Sequence, residues 1–487
     1  RRGLRAVAPP YDTVATETQA PFSGRTAWAR NVQTPLREFL RTETGGAAVL
    51  LAAAVAALVW VNVDASSYES FWGTTLAIDL GGSGVELELR EWVNSGLMTF
   101  FFFVLGLEAR REFDLGDLRE RRRFALPLLA GIGGMAVAVA IYLAFNAGRS
   151  SAQGWGIAMS TDTAFALGLL ALVGPRFPDR LRAFMLTVVV VDVILALVVI
   201  ATVYTEQVSV PALLAAVGLF GAVLVARALG VRVGLVYFAL GVAIWVALLE
   251  SGVEPVVVGL AMGLLAYAHP AARSELERAT ERFREFREQP TPKLARSVGI
   301  GLRASVSPNE RLQQLYHPWT SYLIVPLFAL ANAGIAIDGG FLAEAFTSPI
   351  TLGILFGYVV GKPVGILGCS WLLTRLSRGR LRPPVGWVAV AGGGTIAGIG
   401  FTIALLVAAL AFEGQQLEEA KLGILSAAVG AALITWLLFR ATALLPRSMR
   451  IRGLLGTEEP LADLYIEVDP ESDHIRGKIE ETVTIVK

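Results

Sequence analysis

Two stretches decide how this chain is read: STDTAFALGLLALVG, residues 160–174, and AGGGTIAGIGFTIALLVAALAF, residues 391–412. The first opens with Ser160, Thr161, Asp162 and Thr163 set into otherwise apolar sequence. The second crowds Gly392, Gly393, Gly394, Gly398 and Gly400 into another apolar run. Both patterns favour interruption of a helix. At membrane depth an interrupted backbone is tolerated only where it lines a cavity or is packed inside protein. Paired broken helices in two halves of a membrane protein point to an ion site near the midplane. The plainer reading is that small residues let helices pack closely.

The composition around these stretches agrees with a bilayer setting. Of 487 residues, 54% are hydrophobic and 17% charged, and the mean hydropathy is +0.58. Soluble domains run about 45–50% apolar and about 25% charged, so a soluble enzyme is excluded. With 42 basic and 41 acidic residues the net charge is +1, and no excess points to nucleic acid. The lone Cys369 excludes an internal disulfide framework, and His269, His317 and His474 lack metal-ligand spacing. No nucleophile and base stand together, so catalysis within the chain is not expected, nor is a cofactor. The chain opens on Arg1-Arg2, as a processed or trimmed product would, and residues 1–45 lack an apolar signal core. A cytoplasmic N-terminal segment is therefore expected.

A spanning helix needs about 20 mostly apolar residues. Twelve segments qualify, at roughly 46–64, 93–108, 125–146, 155–174, 183–204, 210–228, 233–250, 253–268, 318–336, 350–374, 386–412 and 422–444. With the N-terminus inside, the short inner loops collect arginine: Arg110, Arg111, Arg119 and Arg121–Arg123, then Arg176, Arg180 and Arg182, Arg227 and Arg232, and Arg375, Arg378, Arg380 and Arg382. The outer loops carry only Arg90, Arg149 and Lys421 beside acidic residues such as Glu250, Glu254, Glu418 and Glu419. This asymmetry predicts twelve crossings with both termini in the cytoplasm.

Two polar regions remain. Residues 269–316 form a basic loop whose ERATERFREFREQ stretch reads as an amphipathic, solvated helix. The tail, 446–487, is acidic and ends in a β-prone run from Thr482 to Val486. The domain plan is therefore 1–45, a membrane domain over 46–445, and a cytoplasmic linker over 446–487.

Ionisable side chains inside spans are costly and mark functional positions by default. Three stand out: Asp162, Asp192 within TVVVVDVILALVVIATVY, and Lys362 within LFGYVVGKPVGILG. Asp192 and Lys362 lie at comparable depth. Either they form a structural ion pair or Asp192 takes a direct part in ion or proton movement. Asp162 either lines an ion path or caps a broken helix end through local backbone hydrogen bonds.

In these residues the chain resembles the NhaA-type sodium/proton antiporters over about residues 40–445. The resemblance rests on LGLEARREF (105–113), STDTAFALGLLALVG (160–174), the VPLFALANAGIAI stretch from Val325, GKPVGI (361–366) and GIGFTIALLVAALAF (398–412). It implies an all-α fold of twelve transmembrane helices with inverted repeats and two broken, crossing helices. It also implies exchange of protons for sodium or lithium across a bacterial plasma membrane, in pH and sodium homeostasis, by a homodimer. The outer loop GGSGVELELRE (81–91) looks like a hairpin strand that such a dimer would use. Carried over by position, Thr161 and Asp162 match the Thr-Asp pair of the broken fourth segment, and Lys362 the lysine of the tenth. Glu108 and Glu112 match acidic positions near the cytoplasmic funnel. Sodium or lithium would then be held by Asp192, Asp162 and Thr161.

The fifth segment departs from the pattern. The family has two adjacent aspartates there, and spacing from Asp162 and to Tyr204 aligns Asp192 with the first. The second falls on Val193. A hard cation wants oxygen ligands, and valine offers none. Asp192 would be the sole carrier, with altered stoichiometry, or ion coupling has been lost or changed. Glu254 stands where a histidine can occur, and Gln313 and Gln314 replace charged residues, so alkaline activation is not implied. DHIRGKIEETVTIVK is similar to the start of a thioredoxin-like, DsbA-type domain. This suggests a further alternative, a membrane scaffold tethering a redox or partner domain.

Overall fold

The computed structural model describes residues 43–80, 83–115, 121–162, 165–166, 179–205, 208–231, 233–268, 273–304, 306–378 and 381–446, with 449, 453–454, 475–476 and 484–485. Residues 1–42, 163–164, 167–178 and most of the tail lie outside these residues, and with them the N-terminal segment and the thioredoxin-like start of the tail.

The chain opens with α1 (Glu43–Val63) and a short α2 (Ala65–Trp72), whose first turn is capped by Asp64 accepting from the Ser67 amide at 3.0 Å. Strands β1 (Thr75–Leu80) and β2 (Ser83–Glu88) pair antiparallel, Leu76 opposite Leu87 and Ile78 opposite Val85. The hairpin begins earlier than the loop reading placed it. Next come α3 (Leu89–Glu91, a π turn Trp92–Leu97 and Met98–Leu115), α4 (Arg121–Asn146) and a 3-10 helix, Ser150–Met159. Then follow α5 (Asp179–Val203), α6 (Val210–Ala228), α7 (Gly234–Ser251) and α8 (Val256–Leu265).

The basic loop folds as α9 (Arg273–Glu288), the amphipathic helix expected, followed by α10 (Pro292–Ala304). Two composite helices come next: α11 (Pro308–Trp319, a π turn Thr320–Ile324 and Val325–Asn332) and, after α12 (Gly339–Ala345), α13 (Pro349–Phe356, a π turn Gly357–Gly361 and Lys362–Leu376). In each of these two composites a proline, Pro326 or Pro363, follows the π turn by two residues. Its missing N–H and its ring exclude an ordinary i→i−4 bond, and the ladder widens just before it. The chain ends with α14 (Trp387–Ala397), α15 (Thr402–Ala411), α16 (Gly414–Ala443) and a short pair β3 (Ile475–Arg476) and β4 (Thr484–Ile485), the latter inside the β-prone run.

Eleven of the twelve apolar segments overlap helix for most of their described length, whereas segment four is helical only over 155–159 and 165–166 and breaks at 160–162. Among the described residues seven helices are long and apolar enough to cross a bilayer, and α14 with α15 make an eighth as a single span bent by 43°. Segment twelve starts earlier than read, because α16 takes in Glu418, Glu419 and Lys421. These are accommodated by specific partners: Lys421 donates to Glu418 (2.9 Å) and to the Gly334 carbonyl (3.1 Å), and Ser348 donates to Glu419 at 2.5 Å.

The interior is joined at glycine contacts. A Cβ on Gly133 would lie 2.6 Å from Cys369 Cβ and one on Gly134 2.8 Å from Ile366, so α4 and α13 approach closely because these positions lack side chains. On α13 Lys362 is fully buried. The largest buried apolar cluster contains Phe102, Tyr142, Val189, Val193, Tyr358, Phe401 and Leu405 and surrounds the point where the helices break.

Candidate ion-pair site at the broken helices

The 3-10 helix stops at Met159, and Ser160 is extended (φ −80°, ψ 153°). On the other side, α14 stops at Ala397 and α15 begins at Thr402. The two interruptions touch: the Asp162 amide donates to the Ile399 carbonyl (2.8 Å), and the Thr161 hydroxyl lies 2.9 Å from the Ala397 carbonyl. Backbone groups freed by the breaks find partners across the crossing, as a dry interior requires.

Asp162 is 3% exposed and serves both breaks. Its Oδ1 accepts from the Phe165 amide and its Oδ2 from the Thr402 amide, each at 3.0 Å. One carboxylate thus caps the start of α15 and the turn beginning at Asp162, where the Ala166 amide returns to the Asp162 carbonyl at 2.9 Å. Negative charge at helix N-termini is favourable, which gives the capping reading of Asp162 a direct geometric basis.

Asp192 on α5 and Lys362 on α13 are both fully buried, with Lys362 Nζ 2.5 Å from Asp192 Oδ2. The ammonium also donates to the Met159 carbonyl and stands 3.3 Å from Thr161 Oγ1, so its three donors meet three oxygens. The Thr161 hydroxyl lies 2.7 Å from Asp192 Oδ2. Lys362 thereby caps the C-terminal end of one half-helix, where carbonyls lack successors, while Asp162 caps N-terminal ends.

Among the described residues, Asp192 Oδ1 is buried with no hydrogen-bond partner and faces Gly131, where a Cβ would lie 3.3 Å away. Thr402 Oγ1 is likewise buried and unpartnered. A carboxylate oxygen of this kind, on the group that the Thr161 hydroxyl touches, is of the hard type that monovalent cations prefer. Val193, by contrast, is 3% exposed inside the apolar cluster and brings no oxygen to the pair.

Of the residues singled out from sequence, Thr161, Asp192 and Lys362 come together, and Asp162 stands beside them, engaged with the helix ends. Glu108 and Glu112 are half-buried in the last turns of α3. The hydrogen bonds of Asp192 and Lys362 do not reach them. Sequence reading missed Thr402, Tyr358 and the carbonyls of Met159 and Ala397. The hydroxyl of Thr402 directly after the glycine break was the available signal; carbonyls leave none. Among the described residues no group of three or more His, Cys, Asp or Glu is placed to hold a metal ion.

Apolar helices of spanning length, with two interruptions joined over a buried Asp-Lys pair, define a multi-pass membrane protein organised around broken helices. The family model described as Na+/H+ antiporter 1 matches residues 37–439. The chain belongs to this NhaA-type Na+/H+ antiporter family. It is 62% identical over 466 residues to Na(+)/H(+) antiporter NhaA 1 of Salinispora arenicola, covering 96% of this chain and 72% of that protein. It is 40% identical over 449 residues to Na(+)/H(+) antiporter NhaA 1 of Mycolicibacterium gilvum, covering 92% and 71%. Na(+)/H(+) antiporter NhaA of Herminiimonas arsenicoxydans is 41% identical over 455 residues, covering 92% and 72%.

Proposed function

We propose that this chain exchanges sodium or lithium for protons across the plasma membrane of a bacterium, contributing to pH and sodium homeostasis. The observation that carries the reading is the fully buried Asp192–Lys362 pair beside the unpartnered Asp192 Oδ1. In one loaded state the carboxylate faces the ammonium. In the other, sodium sits on the Asp192 carboxylate, assisted by Thr161, and Lys362 has given up one proton to become a neutral amine. The site is neutral in both, which matters because net charge in a dry interior costs several kcal/mol. One proton therefore leaves per cation bound. Asp162 contributes by holding the half-helices that frame the site rather than by offering free oxygens, and Glu108 and Glu112 line the cytoplasmic approach.

In this reading the segments at 155–174, 183–204, 253–268 and 318–336 complete twelve crossings in inverted repeats, with both termini cytoplasmic. A second copy would pair along the β1–β2 hairpin, where Leu76 and Ile78 are each 46% exposed. The test is cation-induced dissipation of a pH gradient in proteoliposomes, comparing sodium, lithium and potassium. A response to sodium or lithium that Asp192→Asn abolishes supports the reading, and an Asp192→Asn variant with parental activity overturns it.

One observation favours a second reading. Val193 is sealed in apolar surroundings where the family places a carboxylate, which is what lost or altered coupling would look like. That reading expects the parent to be silent in the same assay and Val193→Asp to restore a cation response.

A further inference from the structure

Tyr358 lies in the π turn of α13, four residues before Lys362 and so about one turn away on the same helix. It is fully buried. Its hydroxyl donates to the Ile157 carbonyl and stands 3.4 Å from Ser160 Oγ. Lys362 donates to the carbonyl of Met159, two residues further along the same 3-10 helix. One helix thus grips the end of the broken segment at two carbonyls, once with a neutral phenol and once with an ammonium.

The other broken segment closes around the same ring. A Cβ on Gly398 would lie 2.6 Å from the Tyr358 carbonyl oxygen, and one on Gly400 would overlap the Tyr358 hydroxyl and ring. Gly400 therefore makes room for this phenol and Gly398 for the backbone of the same residue. The phenol stands between the two interruptions, touching both.

We propose that Tyr358 is a positioning residue that holds the Ile157–Asp162 break in the register at which Thr161 and the Met159 carbonyl serve the Asp192–Lys362 pair. The inference rests on reading that pair as the exchange site. When a cation takes the carboxylate, the ammonium side of the grip changes its charge and its partner. The phenol bond involves no charge and persists through both states, keeping the Thr161 hydroxyl at the carboxylate while Lys362 is released.

Tyr358→Phe removes the hydroxyl and keeps the ring that fills the space at Gly400. In proteoliposomes the variant is expected to raise the KM for sodium about fivefold or more, the size of one lost hydrogen bond, with the maximal rate within about twofold of the parent. Ser160→Ala, which removes a contact at the edge of hydrogen-bond range, is expected to leave KM unchanged. A merely structural role would lower the amount of active protein and the maximal rate at constant KM, and that result overturns the proposal. So does a Tyr358→Phe protein that fails to fold, since the hydroxyl would then be needed for the fold itself. If the parent exchanges cations and Tyr358→Phe keeps its KM, the positioning role alone fails. If the parent shows no cation-driven flux, the exchange reading fails and takes this inference with it.

Discussion

Lys362 Nζ lies 2.5 Å from Asp192 Oδ2, although the two residues are 170 positions apart in the chain and both side chains are fully buried. Few arrangements are as sensitive to the removal of one partner. A buried pair contributes little net stability relative to apolar packing, but a lone buried charge is expensive.

Asp192→Asn therefore has two expected consequences. It strands the Lys362 ammonium, which lowers stability by about 3–5 kcal/mol, and it abolishes cation exchange. Unfolding in detergent, followed by temperature or denaturant, reads the first, and the proteoliposome assay reads the second. Replacing both residues, as Asp192→Leu with Lys362→Met, should recover much of the stability while remaining inactive.

Because the pair is neutral in both proposed states, exchange of one cation for one proton should move no net charge. Sodium uptake driven by a pH gradient is then expected to be unaffected when the membrane potential is clamped with potassium and valinomycin. Uptake that accelerates with the potential would show that a further charge moves with each cycle.

Val193→Asp inserts a carboxylate into the apolar cluster that holds Val193 at 3% exposure. Stability should fall by several kcal/mol at neutral pH, where the group must either ionise in a dry setting or stay protonated. If the inserted carboxylate carries a proton through the cycle, exchange becomes sensitive to potential, unlike that of the parent. Comparing the two proteins in the clamped assay checks this directly.

Asp162 caps helix starts with both carboxylate oxygens, at 3.0 Å each. Asp162→Ala should cost about 1 kcal/mol for each cap lost, or about 2 kcal/mol in all, and Asp162→Asn, which retains one acceptor oxygen, roughly half of that. The melting temperatures should fall in the order parent, Asn, Ala. An Asn variant as destabilised as Ala would mean that the charge matters more than the geometry.

Glu254 lies in the turn between α7 and α8, outside the spanning helices. Burial there, with a smaller contribution from Glu91 nearby, pushes its carboxyl from 4.5 up to about 7. Between those values the folded protein keeps a proton that the unfolded chain has released. Stability should therefore fall as pH rises through this window and level off above about 7. Glu254→Gln should remove that slope. A parent and variant with parallel melting curves from pH 5 to pH 8 would count against it.

Much of the architecture was legible in the sequence because it follows from the energetics of one solvent. Long apolar runs separated by arginine-bearing loops set the helices, and seven of them, with α14 and α15 as an eighth, are long and apolar enough to cross a bilayer among the described residues. What hydropathy missed was polar sequence that helix could absorb. The first turns of α16 hold Glu418, Glu419 and Lys421, which read as loop because their partners, Ser348 and the Gly334 carbonyl, are far away in the chain. Likewise α10 was not foreseen within a basic loop that otherwise read correctly as helix.

The site divides in the same way. Residue type alone marked Asp162, Asp192 and Lys362, since charge within apolar sequence is costly enough to need a reason. It could not decide between readings of each one. Whether Asp162 caps helices depended on where the amide of Thr402, 240 residues away, comes to rest. The part played by Tyr358 was invisible because a tyrosine in an apolar run is ordinary, and only its position between two breaks gives its hydroxyl a task. The sequence by itself determined the solvent, the apolar segments and the inventory of charges, because these are properties of each segment. Only the tertiary structure decided which charges meet, which oxygen is left without a partner, and which backbone carbonyls face the pair, because those depend on how segments separated by hundreds of residues cross.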